Sequence, residues 1–156
     1  MLMDYLCNLK TLMAIQSLIS AIFLGYIAWQ QMKINKDKLK YELYNKRFEV
    51  LTKTIKFYQG VVYEKKVSEE IHQDFIAAKT AAYFLFSKDK SIYSILDEMH
   101  KNSFKIKHFK EKSQEYAKKD PIYFQKANSE HDELLKWFRN EVPILKGKMR
   151  PYLEQK

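Results

Sequence analysis

The chain has 156 residues, with 28 bases against 19 acids and a formal net charge of +9. Its one cysteine, Cys7, excludes an intrachain disulfide, and three Gly with three Pro supply too few turn signals for an all-β fold. Residues 33–156 hold 27 of the bases and 18 of the acids, so the whole basic excess sits there and suits an anionic partner: lipid headgroups, nucleic acid or acidic protein.

Residues 1–10 read as a short N-terminal tail. From Thr11 to Met32 run 22 uncharged residues, TLMAIQSLISAIFLGYIAWQQM, with Gln16, Ser17 and Ser20 the polar members of the interior. As a helix at about 1.5 Å per residue the run reaches roughly 33 Å, enough to cross a bilayer core. Asp4 offsets the amino terminus, and bulky Tyr26 and Trp29 stand where a cleaved signal peptide would carry small residues. An uncleaved transmembrane helix over 11–32 is therefore expected, ahead of a soluble core helix or a signal peptide. Tyr26 and Trp29 suit a membrane interface. Lys33, Lys36, Lys38 and Lys40 follow against a lone Asp37, which predicts the N-terminus outside and residues 33–156 in the cytoplasm. Ala14, Ser17, Ala21 and Gly25 fall near one face, a weak helix-packing motif.

Beyond the span, Tyr41, Tyr44, Phe48, Leu51, Ile55, Tyr58 and Val62 lie three and four apart on one stripe, predicting about seven helical turns continuous with the span. A second row, Leu43, Val50 and Phe57, widens the apolar arc and favours packing against two neighbours of the same chain. Arg47 sits inside that arc as a structural buried charge, and a carboxylate from another helix is its expected partner; snorkelling and an anion site are the alternatives. Gly60 and the VVYEKK stretch should end or bend this helix. Ser68 ahead of Glu69 and Glu70 predicts a capped second helix to about Phe86, buried through Ile71, Phe75, Ala78, Ala82 and Leu85. A third runs from about Ser91 to Ala117 through Ile92, Ile95, Met99, Ser103, Ile106 and Phe109. Asp120 before Pro121 predicts the cap of a fourth helix, carrying Ile122, His131, Leu134, Leu135, Trp137 and Phe138 and ending before Pro143. The predicted fold is all-α: a transmembrane helix continuing into a cytoplasmic antiparallel four-helix bundle, with domains at 1–10, 11–32 and 33–156.

The juxtamembrane stretch KLKYELYNKRFEVL resembles a group of bacterial single-pass membrane proteins of unknown function, in which a span and basic exit precede K-L-x-x-x-L-[FY]-[DN]-x-R-F-x-V. The matching residues are Lys38, Leu39, Leu43, Tyr44, Asn45, Arg47, Phe48 and Val50, and the endings LLKWF at 134–138 and PYL at 151–153 are also similar. Asn45 stands where Asp is frequent, so a carboxylate role does not transfer to it. The resemblance implies an anchored helical domain in a bacterial inner membrane and brings no activity.

Two acid and histidine pairs, Glu69 with His72 and Asp97 with His100, have the three-residue spacing used twice in di-metal bundles, with Glu49 and Glu130 or Glu133 as further carboxylates. The apolar stripes leave both histidines at the margins, so boundary histidines and no metal or other cofactor are expected. His131 lies among Glu130, Asp132 and Glu133; acids complementing a helix start are the plain reading, a pH-sensitive group the sharper one. In KNSFKIKHFKEK, Lys101, Lys105, Lys107, Lys110 and Lys112 alternate with Phe104 and Phe109. Solvated lysines over inward phenylalanines come first, anionic lipid second and nucleic acid third. No catalytic constellation emerges. The expected function is a membrane-anchored, non-enzymatic interaction module that presents a basic surface to a cytoplasmic protein or to itself. A tethered effector or sensor of a stress or antiphage system and a metal-dependent bundle enzyme are the alternatives.

Overall fold

The computed structural model describes residues 2–64 and 67–154, with the backbone alone described for residues 2–11 and 119. The described residues form four α-helices and no strand: α1 Leu2–Tyr63, α2 Glu69–Leu85, α3 Lys90–Lys119 and α4 Pro121–Leu153. Two compact units result, Met1–Glu42 and Leu43–Lys156.

The first unit is helix alone. Its apolar window has mean hydropathy 1.8 with none of it buried, and Leu18, Ile22 and Phe23 are exposed. Among the described residues one helix is thus long and apolar enough to span a membrane, and it begins at Leu2, ahead of the predicted span.

In the second unit one core gathers Val50, Phe57 and Val61 of α1, Phe75, Ala78 and Ala82 of α2, Ile92, Leu96, Met99 and Ile106 of α3, and Phe138, Val142, Leu145 and Met149 of α4. Local chemistry starts the helices where expected. Ser68 accepts from Ile71 N at 3.3 Å to open α2, and Asp120 accepts from Ile122 N and Tyr123 N to open α4 with Pro121 at its first position. Asp89, accepting from Ser91 N at 3.0 Å, opens α3 one residue early.

Two expectations are corrected. The buried face of α1 is Val50, Thr54, Phe57 and Val61, which keeps Val50 and Phe57 of the predicted second row, while Tyr41 and Phe48 of the regular stripe stay exposed and Leu51, Tyr58 and Val62 are half-buried. Thr54 fits that face because its hydroxyl donates to Val50 O at 2.8 Å, which removes the cost of burying it. Helix α1 ends at Tyr63, inside the VVYEKK stretch as expected, and Gly60 is buried within it, with Val67 of the returning chain 3.4 Å from the position of a Cβ. Helix α4 does not stop before Pro143 but runs on to Leu153. Pro143 lies on the exposed side, where Arg139 O can turn to water, while Val142, Leu145 and Met149 hold the opposite face in the core. At the other end of α4, Ile122 is 82% exposed.

Candidate functional site

The residues proposed from sequence as metal ligands come together differently from the expected pairs. Ser68 and the acids of the first turn fix the start of α2, placing His72 one turn in, and α3 brings His100 opposite it. The two Nε2 atoms lie 3.1 Å apart. On the far side of His100, Lys79 Nζ is 3.2 Å from Nδ1 and 2.9 Å from Asp97 Oδ1, and Asp97 Oδ2 meets Lys101 Nζ at 2.7 Å. Glu69 is absent from this chain of contacts; its Oε1 accepts from Gln73 at 2.7 Å.

The tautomers follow from the ammonium. Lys79 has protons to give and no lone pair to offer, so His100 Nδ1 accepts from it and Nε2 carries the proton, donated in turn to His72 Nε2. The donor set here joins His100 to His72 and to the Lys79–Asp97 pair, and among the described residues no three His, Cys, Asp or Glu side chains are placed together to hold a metal.

Charge and burial tune the group. Lys101, then Lys79, holds Asp97 down to about 2, while burial, then Lys79 and His72, lowers His100 despite the Asp97 carboxylate. Phenylalanines surround the rings: Phe57 stacks on Phe75 with centroids 3.8 Å apart, and Phe104 lies 5.0 Å from His100 and 5.5 Å from His72. His72 also lines a cleft of about 790 Å³ walled by Phe57, Val61, Phe104 and Ile106, with Lys107 and Glu111 at its polar margin.

The basic stretch divides by role. Lys110 Nζ donates to Val61 O at 2.8 Å and to Glu64 O at 2.6 Å, satisfying carbonyls that a helix C-terminus leaves open, and burial lowers its pKa. Lys101 is engaged by Asp97, and Lys112 pairs with Glu115 at 3.0 Å. Lys105 and Lys107 are exposed and have no partner among the described residues. Phe104, expected inward, is 48% exposed, whereas Phe109 is half-buried against His131 at 4.6 Å. Both ring nitrogens of His131 are buried without a hydrogen bond, and its Nδ1 lies 3.5 Å from Asp132 Oδ1 without hydrogen-bond alignment.

Arg47 is half-buried, and its partners are carbonyls, not the expected carboxylate. Nε donates to Leu85 O at 3.2 Å and a terminal nitrogen to Tyr152 O at 3.4 Å, joining the C-terminal ends of α2 and α4, where a cation is favoured. The guanidinium carbon also stands 5.2 Å from the Tyr152 ring centroid and 6.0 Å from that of Phe86. Two stretches 105 residues apart, the R-F of the first helix and the PYL of the last, share this contact. Sequence reasoning placed Arg47 correctly at a helix interface but had no signal for backbone acceptors so distant.

The flanking residues of the apolar window are all exposed in the first unit, Lys33, Lys36, Lys38 and Lys40 included. Tyr26 and Trp29 rings lie 6.2 Å apart, and Gln30 donates to Tyr26 OH at 2.8 Å. No family model matches the chain, and neither the curated proteins nor the solved structures yielded a match to it.

Proposed function

We propose that this chain is a membrane-anchored, non-enzymatic helical interaction module. In this reading residues 11–32 cross a bacterial inner membrane once, and residues 33–156 form an antiparallel four-helix bundle in the cytoplasm. The bundle meets a protein partner or a second copy, and Lys105 and Lys107, with Lys33, Lys36, Lys38 and Lys40 nearer the bilayer, face acidic protein or anionic headgroups. The observation that carries the reading is the apolar window of α1, at mean hydropathy 1.8 with no residue of it buried. A soluble core helix of that composition would be wrapped by its neighbours, and the solvent that satisfies it uncovered is lipid. Orientation rests on the lysines at the exit. The non-enzymatic part rests on the engagement of the ionisable cluster with itself, Asp97 between two lysines and His100 with His72.

A second reading, a tethered effector or sensor in a stress or antiphage system, draws on the single helix that holds both the apolar window and core residues Val50, Phe57 and Val61. Paired C-terminal reporters test the main reading, one fluorescent only in the cytoplasm and one phosphatase active only outside it, combined with carbonate extraction. Fluorescence in the extraction-resistant fraction is expected. Phosphatase activity would reverse the orientation, and a soluble fluorescent protein would remove the anchor.

A further inference from the structure

We propose that two copies of this chain associate side by side along one face of α1, in a parallel left-handed seam from Gln16 to Tyr41. The inference deepens the membrane-module reading and rests on it, because a shared bilayer is what would hold the two helices parallel and level.

Spacing defines the face. Gln16, Ser20, Phe23, Ile27, Gln30, Ile34, Asp37 and Tyr41 follow one another at intervals of alternately four and three residues. A straight helix drifts by about 20° per heptad against such a repeat, so one stripe stays turned to a partner only when two helices wind around each other. Among the described residues the stripe makes one contact, Gln30 donating to Tyr26 OH of its own helix, and apart from half-buried Ile27 and Gln30 its described members are exposed. Met1–Glu42 is a unit by itself, and Phe23, Ile34 and Tyr41 are 63%, 63% and 66% exposed.

Two features choose a second copy over an unrelated helix. Gln16 and Ser20 put polar groups on the stripe inside the apolar window, and they make no hydrogen bond among the described residues. An amide both donates and accepts, so Gln16 of one copy satisfies the same residue of the other at the same depth. Asp37 repeats the self-match at the membrane exit. In a parallel, in-register pair each Asp37 faces Lys38 of the other copy, forming two reciprocal ion pairs that offset the approach of the carboxylates. Lys38 Nζ lies 4.0 Å from Glu42 Oε1 in its own chain, both side chains exposed, a contact weak enough to exchange. The opposite face, with Ala14, Ser17, Ala21 and Gly25, is spaced three, four and four, does not keep the heptad, and does not reach the lysines.

Cysteine scanning of the full chain in intact membranes tests the seam. Cys7→Ser supplies the background, single cysteines replace each residue from 30 to 41, and copper phenanthroline is the oxidant. Dimer formation should peak at Gln30→Cys, Ile34→Cys, Asp37→Cys and Tyr41→Cys, several-fold above Met32→Cys, Lys36→Cys and Leu39→Cys. Peaks on the second set would mean that the copies meet on the Ala21 and Gly25 face, and a flat low profile would mean no seam. Either result overturns the proposal while a carbonate-resistant protein leaves the module reading intact. Loss of the parent chain from the membrane fraction would overturn both. Charge exchange checks the register: Asp37→Lys should lower the Ile34→Cys crosslink several-fold, and adding Lys38→Asp should restore it. Failure to restore it would overturn the reciprocal pairing.

Discussion

Replacing Arg47 by methionine keeps the aliphatic stem against its neighbours and removes the guanidinium that joins Leu85 O to Tyr152 O. A hydrogen bond from a charged donor contributes about 1.5–3 kcal/mol when well formed. Both bonds here are long, at 3.2 and 3.4 Å, and the half-buried site admits water in place of the lost donor. Together they should account for about 2 kcal/mol, with about 0.5–1 more from the Tyr152 ring and the two helix C-termini. Arg47→Met is therefore expected to cost about 2.5–3 kcal/mol, and Arg47→Lys about half of that, since it keeps charge and loses the fork. Urea unfolding of the full chain in detergent measures it, followed by Trp137 fluorescence in a Trp29→Phe background so that the core alone reports. An Arg47→Met value within about 0.5 kcal/mol of the parent, the range of an ordinary surface change, would refute the tie between helix ends. A cost equal for Met and Lys would refute the geometric part, leaving no role for the two-pronged donor.

The lowered pKa of His100 means that the unfolded chain takes up the proton first. Its contribution is complete above the unperturbed value of about 6.5 and is lost as pH falls from there towards the folded value. Urea midpoints should drop on acidification through that window, and His100→Gln should flatten the slope; an unchanged slope would place the titration elsewhere. Asp97, held at about 2 by Lys101 and Lys79, stabilises above the ordinary carboxylate range and loses that contribution as pH falls through about 4 towards 2. Its side chain is 26% exposed, so solvent screening sets the expected cost of Asp97→Asn at about 1 kcal/mol at neutral pH, with the acid-range slope reduced. Pro143→Ala should raise stability by about 1–2 kcal/mol by restoring a hydrogen bond to Arg139 O in an intact helix. An unchanged midpoint would mean that the chain is broken there.

What could be read from sequence was short-range. Ser68 and Asp120 opened their helices because a cap depends on three residues in a row, and Phe75, Ala78 and Ala82 were buried because one stripe dominates α2. The buried face of α1 was harder, because the aromatic stripe through Tyr44 and Phe48 competes with the adjacent row through Val50 and Phe57, and only tertiary contacts choose between adjacent stripes. Pro143 signals a stop locally, but the burial of Leu145 and Met149 overrides it. Each histidine was matched to an acid on its own helix at fixed spacing, although the decisive neighbour lay 28 residues away on another. Two half-apolar histidines at the margins of adjacent helices were the available clue to that meeting.

The composition of the core also sets the order in which the protein can be made. Val50, Phe57 and Val61 leave the ribosome early, yet Leu145 and Met149, fully buried in the same cluster, are synthesised roughly a hundred residues later. At ordinary elongation speeds of about 5–20 residues per second, the first helix waits several seconds with its inner face bare. Helix α1 is therefore a surface for chaperones or for misassociation before it becomes part of a core. A nascent chain arrested before α4 would keep that surface open, and closure awaits the last turns that bring Tyr152 to Arg47.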